Sequence, residues 1–284
     1  MRTIGRSTRR SRVQLWLAVV VGGSCLLLQS AHATLFFQEG FNYTAGTPLH
    51  GNDGWSRGST GLTITNASLT YPGLAGTSPS GNALLDVSGS GTFTVNMYNA
   101  TSNTAGTVYF SFLLSPVLLS SASNQEVAAL VPDNGTPNGG VDALGVYVGA
   151  GSFNGTYQIG VRHNGSDATY VNTAAMTLGS TNFFVVAYTF NPGTSDDVVS
   201  LWVNPTPGGS RPAADATMSG GTDAANLDKI EFKSPSSSTG GNWVFDTLRI
   251  GDAWADVTPV PEPSTFALMG FGLGLMAAMI RRRR

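Results

Sequence analysis

Apolar and polar residues alternate with a period of two along much of this chain, the spacing of half-buried β-strands. In Thr92–Tyr98, Phe93, Val95 and Met97 alternate with Thr92, Thr94 and Asn96. Short runs rich in β-branched and aromatic residues recur about every 10 to 15 residues, separated by Gly, Asn, Ser, Thr and Pro. They predict strands over Leu35–Phe41, Leu62–Thr65, Ser68–Tyr71, Ala83–Val87, Thr92–Tyr98, Thr107–Leu114 and Glu126–Val131. The series continues with Ala143–Val148, Tyr157–Arg162, Asn182–Phe190, Val198–Asn204, Lys229–Lys233 and Trp243–Ile250. Phe183–Phe190 is nearly all apolar, which suits a central strand buried on both faces. Helical periodicity never extends beyond about two turns, and only Ala213–Asn226 has room for a short turn. Two apolar runs do not alternate, and both lie near the ends: Val13–Leu28 and Phe266–Ile280.

About thirteen strands between residues 34 and 258 predict an all-β fold, a two-sheet antiparallel β-sandwich rather than one flat sheet. Roughly 225 residues are enough for one domain with one large core.

The first apolar run has the build of an export signal. Arg2, Arg6, Arg9, Arg10 and Arg12 precede it, and Ala31-His32-Ala33 follows with the small-x-small pattern that signal peptidase cuts. Residues 1–33 are thus expected to be a removed signal peptide, with Thr34 the mature start. A twin-arginine signal is disfavoured by Arg12, and lipidation at Cys25 by the apolar residues that continue beyond it.

The second run closes a tail, residues 259–284. Pro261-Glu262-Pro263 is held extended, because its prolines fix φ and lack amide donors. Ser264 or Thr265 then supplies an N-cap oxygen. Phe266–Ile280 is uncharged, roughly 15 residues or ~22 Å as a helix. That is slightly short for a membrane span, and Ser264 and Thr265 can lengthen it. Arg281, Arg282, Arg283 and Arg284 end the chain and would stay cytoplasmic by the positive-inside rule. These parts in this order resemble the PEP-CTERM sorting signal of bacterial surface proteins. The resemblance implies recognition by an exosortase, a membrane transpeptidase cutting near the Pro-Glu-Pro. It also implies a membrane-anchored intermediate and a destination at the cell surface or extracellular matrix of a Gram-negative-type bacterium.

Setting the ends aside changes the charge. Only Arg57, Arg162, Arg211, Lys229, Lys233 and Arg249 are basic between residues 34 and 260, against 16 acidic residues, so the domain carries about −10. Such a field repels phosphate backbones and excludes a nucleic-acid partner. The single cysteine, Cys25, lies in the signal, so the exported domain has neither disulfide nor thiol chemistry.

Glu39-Gly40-Phe41 with Gly51-Asn52-Asp53-Gly54-Trp55, and Phe245–Gly251, resemble the terminal strands of concanavalin A-like and laminin-G-like jelly rolls. The resemblance implies that the first and last strands lie side by side. It gives Asp246 and Arg249 a structural role as an exposed pair, which contributes little. Such folds serve glycan hydrolases and lectins, so carboxylates and aromatics are the residues to weigh.

Glycoside hydrolysis needs two carboxyls ~5 to 9 Å apart. Glu39, Glu126 and Glu231 sit on three separate predicted strands, and the Glu-x-Asp-x-x-Glu motif of the best-known hydrolases on this fold is absent. Glu126 and Glu231 can meet across a sheet, although a solvated strand face explains each as well. His50 and His163 stand beside turn residues, where solvation is the plainer reading, and no Gly-x-Ser-x-Gly elbow occurs. No catalytic residue is assigned, and no metal site.

Calcium is the one cation the loops suit, through Asp133, Asn134 and Asp142 or through Ser195-Asp196-Asp197, though these are also ordinary turn formers. Trp55, together with Asp133, Asn134 and Asp142, is the candidate ligand-binding set, by stacking on a sugar and by loop oxygens. Trp202 and Trp243 read rather as core. The sequence thus predicts a non-catalytic surface or matrix protein whose sandwich binds extracellular polysaccharide. A secreted glycan-processing enzyme and a purely structural module are the alternatives.

Overall fold

The computed structural model describes residues 34–56, 61–77, 81–86, 93–97, 103–119, 124–132, 142–152, 155–164, 167–171, 176–233 and 241–261. The expected signal peptide with Ala31 and Ala33, the tail from Glu262 to Arg284, and the candidate ligands Asp133 and Asn134 lie outside them.

Fourteen strands form two antiparallel sheets among these residues. The larger sheet contains β1 (Leu35–Glu39), β2 (Leu62–Thr65), β3 (Ala83–Asp86), β5 (Gly106–Leu118), β10 (Asn182–Phe190), β11 (Val198–Val203), β12 (Ala216–Ser219) and β14 (Asn242–Gly251). Its order is β12-β11-β10-β5-β14-β3-β2, with β1 also on β14. The smaller sheet runs β4 (Phe93–Met97), β13 (Lys229–Lys233), β6 (Gln125–Val131), β7 (Leu144–Ala150), β8 (Tyr157–His163) and β9 (Thr169–Val171). One short helix, α1 (Trp254–Val257), follows the last strand. The expected two-sheet β-sandwich is therefore what the chain forms, and first and last strands do pair, Gln38 opposite Arg249 and Glu39 opposite Leu248.

Inward-facing side chains of the two sheets share one core. Phe110, Phe112, Leu114, Phe184, Val186 and Phe245 come from the larger sheet and Leu130, Val146, Ile159, Val161, Ile230 and Phe232 from the smaller. The central β10 is buried on both faces, as its apolar run predicts. Phe184, Val186 and Tyr188 point into this core, while Phe183, Val185 and Ala187 point into a second apolar layer behind the larger sheet. There Leu69, Leu74, Tyr109, Leu113, Trp202 and Val257 pack together.

Two predicted elements differ. Ser68–Tyr71 is not a strand, because the buried Asp246 carboxylate takes its donors: Ser68 Oγ and the Leu69 amide each donate at 2.8 Å. Asp246 sits at a shift in the β14–β5 register, beside Thr247 at φ 53, where β14 passes from pairing β3 to pairing β1. Asp246 and Arg249 are therefore not an exposed pair; Arg249 donates instead to Gln38 and to the Asp256 carbonyl. The second difference is β12, a four-residue edge strand where a short turn was expected.

Candidate functional site

Strand alternation decides what the outer face of the smaller sheet carries. Because Ile230 and Phe232 of β13 enter the core, Glu231 and Lys233 turn outward; by the same rule Gly145, Tyr147 and Gly149 of β7 and Gln158, Gly160 and Arg162 of β8 face out. The register aligns Glu231, Ala129, Gly145 and Arg162 in one row across four strands. Glu126, Tyr147, Gly160 and Tyr170 form the next row. The small residues in mid-row leave the space that the long ones occupy. A Cβ on Gly145 would lie 2.1 Å from Glu126 Oε1, and one on Gly160 would lie 2.4 Å from the Tyr170 ring.

Over this glycine floor the charges converge. Lys233 Nζ donates to Glu126 Oε2 at 2.8 Å and to Asp142 Oδ2 at 2.6 Å. Arg162 Nη2 lies 3.8 Å from both carboxylates, and its guanidinium sits 5.0 Å from the centre of the Tyr147 ring. At the rim, Gln158 donates to Asn124 at 2.9 Å. Burial alone would lower the Lys233 pKa, but Asp142 and Glu126 outweigh it and hold the ammonium above its ordinary range. Burial also raises the Glu126 carboxyl, helped by Asp142 and opposed by Lys233. Glu231, 2% exposed, is pushed up to about 7 by burial, with Lys233 pulling the other way, and its Oε2 has no hydrogen-bond partner. Near neutral pH such a carboxyl can give or take a proton.

The sequence-predicted residues divide. Asp142 joins this cluster, bound to a lysine rather than lining an open loop. Glu126 and Glu231 project from neighbouring strands on the same outer face, and the Glu126 charge adds a small upward push to the Glu231 carboxyl. Trp55 does not belong here and offers no stacking face: it is 2% exposed, 5.5 Å from Phe232, and donates through Nε1 to Glu39 at 2.9 Å. Glu39 also accepts from the Phe41 amide and Tyr43 hydroxyl, so this glutamate ties the first loop together. Trp202 and Trp243 are core, as expected. Lys233 and Arg162 are two of only six basic residues in the domain, each at an outward position of a predicted strand, but only the sheet order, with β6 and β7 between them, brings them to one cluster.

His163 corrects the expectation of a solvated turn. It is fully buried at the end of β8, where Nδ1 accepts from the Gly221 amide and Nε2 lies 3.3 Å from the Tyr188 hydroxyl. Tyr188 donates to Asp197 at 2.5 Å. Burial lowers the His163 pKa, with Asp197 and Asp223 opposing. Carboxylate oxygens of Asp196, Asp197 and Asp223 lie within 4.8 Å of one another. Those of Asp197 and Asp223 accept backbone amides of Asn191, Ser195 and Asp197, which is a loop-forming role.

Residues 259–284 match the PEP-CTERM protein-sorting motif, which marks the chain as exported and sorted to the cell envelope. No helix among the described residues is long and apolar enough to cross a membrane, and Phe266–Ile280 lies outside them. No curated protein matches the chain. Solved structures similar to it include the metal-free exoplasmic/lumenal domain of VIP36, at 7% identity and TM-score 0.42 over 80% of this chain and 96% of that one. An alginate lyase from Pseudomonas aeruginosa is 9% identical, with TM-score 0.39 over 71% and 86%. A beta-1,3-glucanase from Mycobacterium marinum is 11% identical, with TM-score 0.39 over 76% and 98%. At these values the likeness says nothing about what this chain binds or does.

Proposed function

We propose that this is a cell-surface or extracellular-matrix protein whose sandwich binds an extracellular polysaccharide without reacting with it. Signal peptidase would release it at Thr34, and an exosortase-type membrane transpeptidase would process the tail after a membrane-anchored stage. The reading rests chiefly on one observation: a glycine-floored face where Glu126, Asp142, Lys233 and Arg162 neutralise one another, flanked by Tyr147, Tyr170, Gln158 and Asn124. Sugars offer hydroxyls that both donate and accept, and such a face supplies partners of both kinds together with aromatic surface. Trp55, buried elsewhere, has no part in it. The reading needs no metal. Asp133 and Asn134, just upstream of Asp142 in sequence, remain proposed contributors through loop oxygens.

The second reading, a glycan-processing enzyme, is favoured by Glu231, a buried carboxyl poised near neutrality. A panel of polysaccharides incubated with the exported protein separates the two. We expect retention of at least one polymer with its chain length unchanged. Chain shortening that is lost in Glu126→Gln or Glu231→Gln would make the protein an enzyme.

A further inference from the structure

The charges on the outer face of the smaller sheet are matched before any ligand arrives. Lys233 Nζ is shared by Glu126 at 2.8 Å and Asp142 at 2.6 Å, and Arg162 Nη2 lies 3.8 Å from the same two carboxylates. Glu231 is a third carboxyl on this face and only 2% exposed. Near neutral pH the cluster is therefore uncharged with Glu231 protonated and negative with it ionised. It carries no net positive charge in either state. Lys229 lies further along the same side of β13, but it is buried and already has a partner.

The other groups within reach of a ligand are uncharged. Asn124, Tyr147, Gln158 and Tyr170 are all partly exposed. The Tyr170 ring takes the room above Gly160, and Gln158 donates to Asn124 at the rim.

This arrangement treats charged and uncharged sugars differently. A sugar carboxylate placed against Arg162 also approaches Glu126 and Asp142, because both already lie beside the nitrogen that would bind it. Two like charges then oppose one guanidinium, while Lys233 is bonded to those same carboxylates. A sugar hydroxyl brings no charge. It can donate to a carboxylate lone pair or accept from the guanidinium while the pairs stay intact.

We infer that this face selects polysaccharides of uncharged sugars over those carrying carboxylates, and that the pairing of Lys233 and Arg162 with Glu126 and Asp142 makes the selection. This rests on the proposed polysaccharide-binding reading of the same face. The domain's overall charge of about −10 acts in the same direction, so the test has to separate the near charges from the distant ones.

Affinity electrophoresis at about 0.15 M salt does so, because a Debye length of about 8 Å screens distant charges and spares close ones. The exported protein is run against hydroxyethylcellulose, pullulan, galactomannan and alginate. Each of the first three is also used after oxidation of its primary alcohols to carboxylates, and after esterification of those carboxylates. We expect an uncharged polymer to retard the protein, its carboxylated form to bind at least about tenfold more weakly, and the ester to restore binding. Asp142→Asn removes one carboxylate of the cluster and changes the domain's charge by a single unit, so it should narrow that difference. Glu126→Gln repeats the measurement from the other carboxylate. Retardation only by alginate or the carboxylated forms, or a difference unchanged in both variants, would overturn the inference and leave the binding reading standing. Retardation by none of the polymers would overturn the reading, and the inference with it.

Discussion

The two outer faces of this sandwich begin from the same strand alternation and end differently. Behind the larger sheet, outward residues such as Tyr109, Leu113, Phe183, Val185 and Trp202 are apolar, and two passing segments cover them with Leu69, Leu74, Trp254 and Val257. On the smaller sheet the outward positions hold Glu126, Tyr147, Arg162, Glu231 and Lys233 over glycines. A layer of the first kind stabilises, through area removed from water. A layer of the second kind holds buried charge whose neutralisation depends on each member, so it adds little stability and much specificity. The back face is where the fold is strengthened. The front face is where a ligand can be read.

This difference can be broken most forcefully from behind. Trp202→Ala removes a buried ring packed on Tyr109 and Trp254. It should cost about 3–5 kcal/mol in urea unfolding, while leaving the affinity of the folded fraction for polysaccharide unchanged.

On the front, Lys233→Met leaves Glu126 and Asp142 without their shared cation. Because the lysine is 22% exposed, the cost should be below that of a fully buried pair, about 2–3 kcal/mol. It should be greater at pH 8 than at pH 5, since carboxyls that lose the ammonium bind protons more tightly when folded.

A smaller effect of opposite sign is expected for Glu231→Gln. With its pKa at about 7 when folded and in the ordinary carboxyl range when unfolded, Glu231 binds a proton more tightly in the native chain. Stability therefore falls as pH rises from about 4.5 to about 7, by at most about 3 kcal/mol. The glutamine variant should lack that slope and exceed the parent at pH 8 by about 1–3 kcal/mol, read from denaturant midpoints across pH. His163 works in the other direction, losing stability as pH falls below its ordinary value, and cancels in the comparison.

The least disruptive change is Gly145→Ala. The new Cβ would meet the Glu126 carboxylate and the Tyr147 ring, the far ends of two side chains that can shift a little while Lys233 keeps its carboxylate partners. Stability should move by less than about 1 kcal/mol, within the range of strand propensities, while polysaccharide binding drops at least tenfold.

Much of the back face was legible in the sequence. The unbroken apolar run of Phe183–Phe190 announces a strand buried on both sides, and the predicted Leu62–Thr65 and Asn182–Phe190 match the strands to the residue. The segments that cover this face were harder to read. Ser68–Tyr71 has strand-like residues, but a carboxylate 178 positions away takes its donors, and no local pattern reports that.

The front face was half visible. Glu126, Asp142 and Glu231 stand out in the sequence only as separate features of strand and loop. What unites them is register across β13, β6, β7 and β8, together with a lysine and an arginine that only alternation places beside them. Trp55 misled because an aromatic among Gly, Asn and Asp looks exposed, whereas Glu39 draws its indole inward.

The claim that the polar face of the smaller sheet is the binding face is tested most directly by affinity electrophoresis. The exported protein, an Arg162→Ala Tyr147→Ala double variant and Trp202→Phe would be run through gels containing the polysaccharide that retards the parent. The account predicts that retardation is lost in the double variant and kept in Trp202→Phe. Retardation undiminished in the double variant, at parental stability, would contradict it.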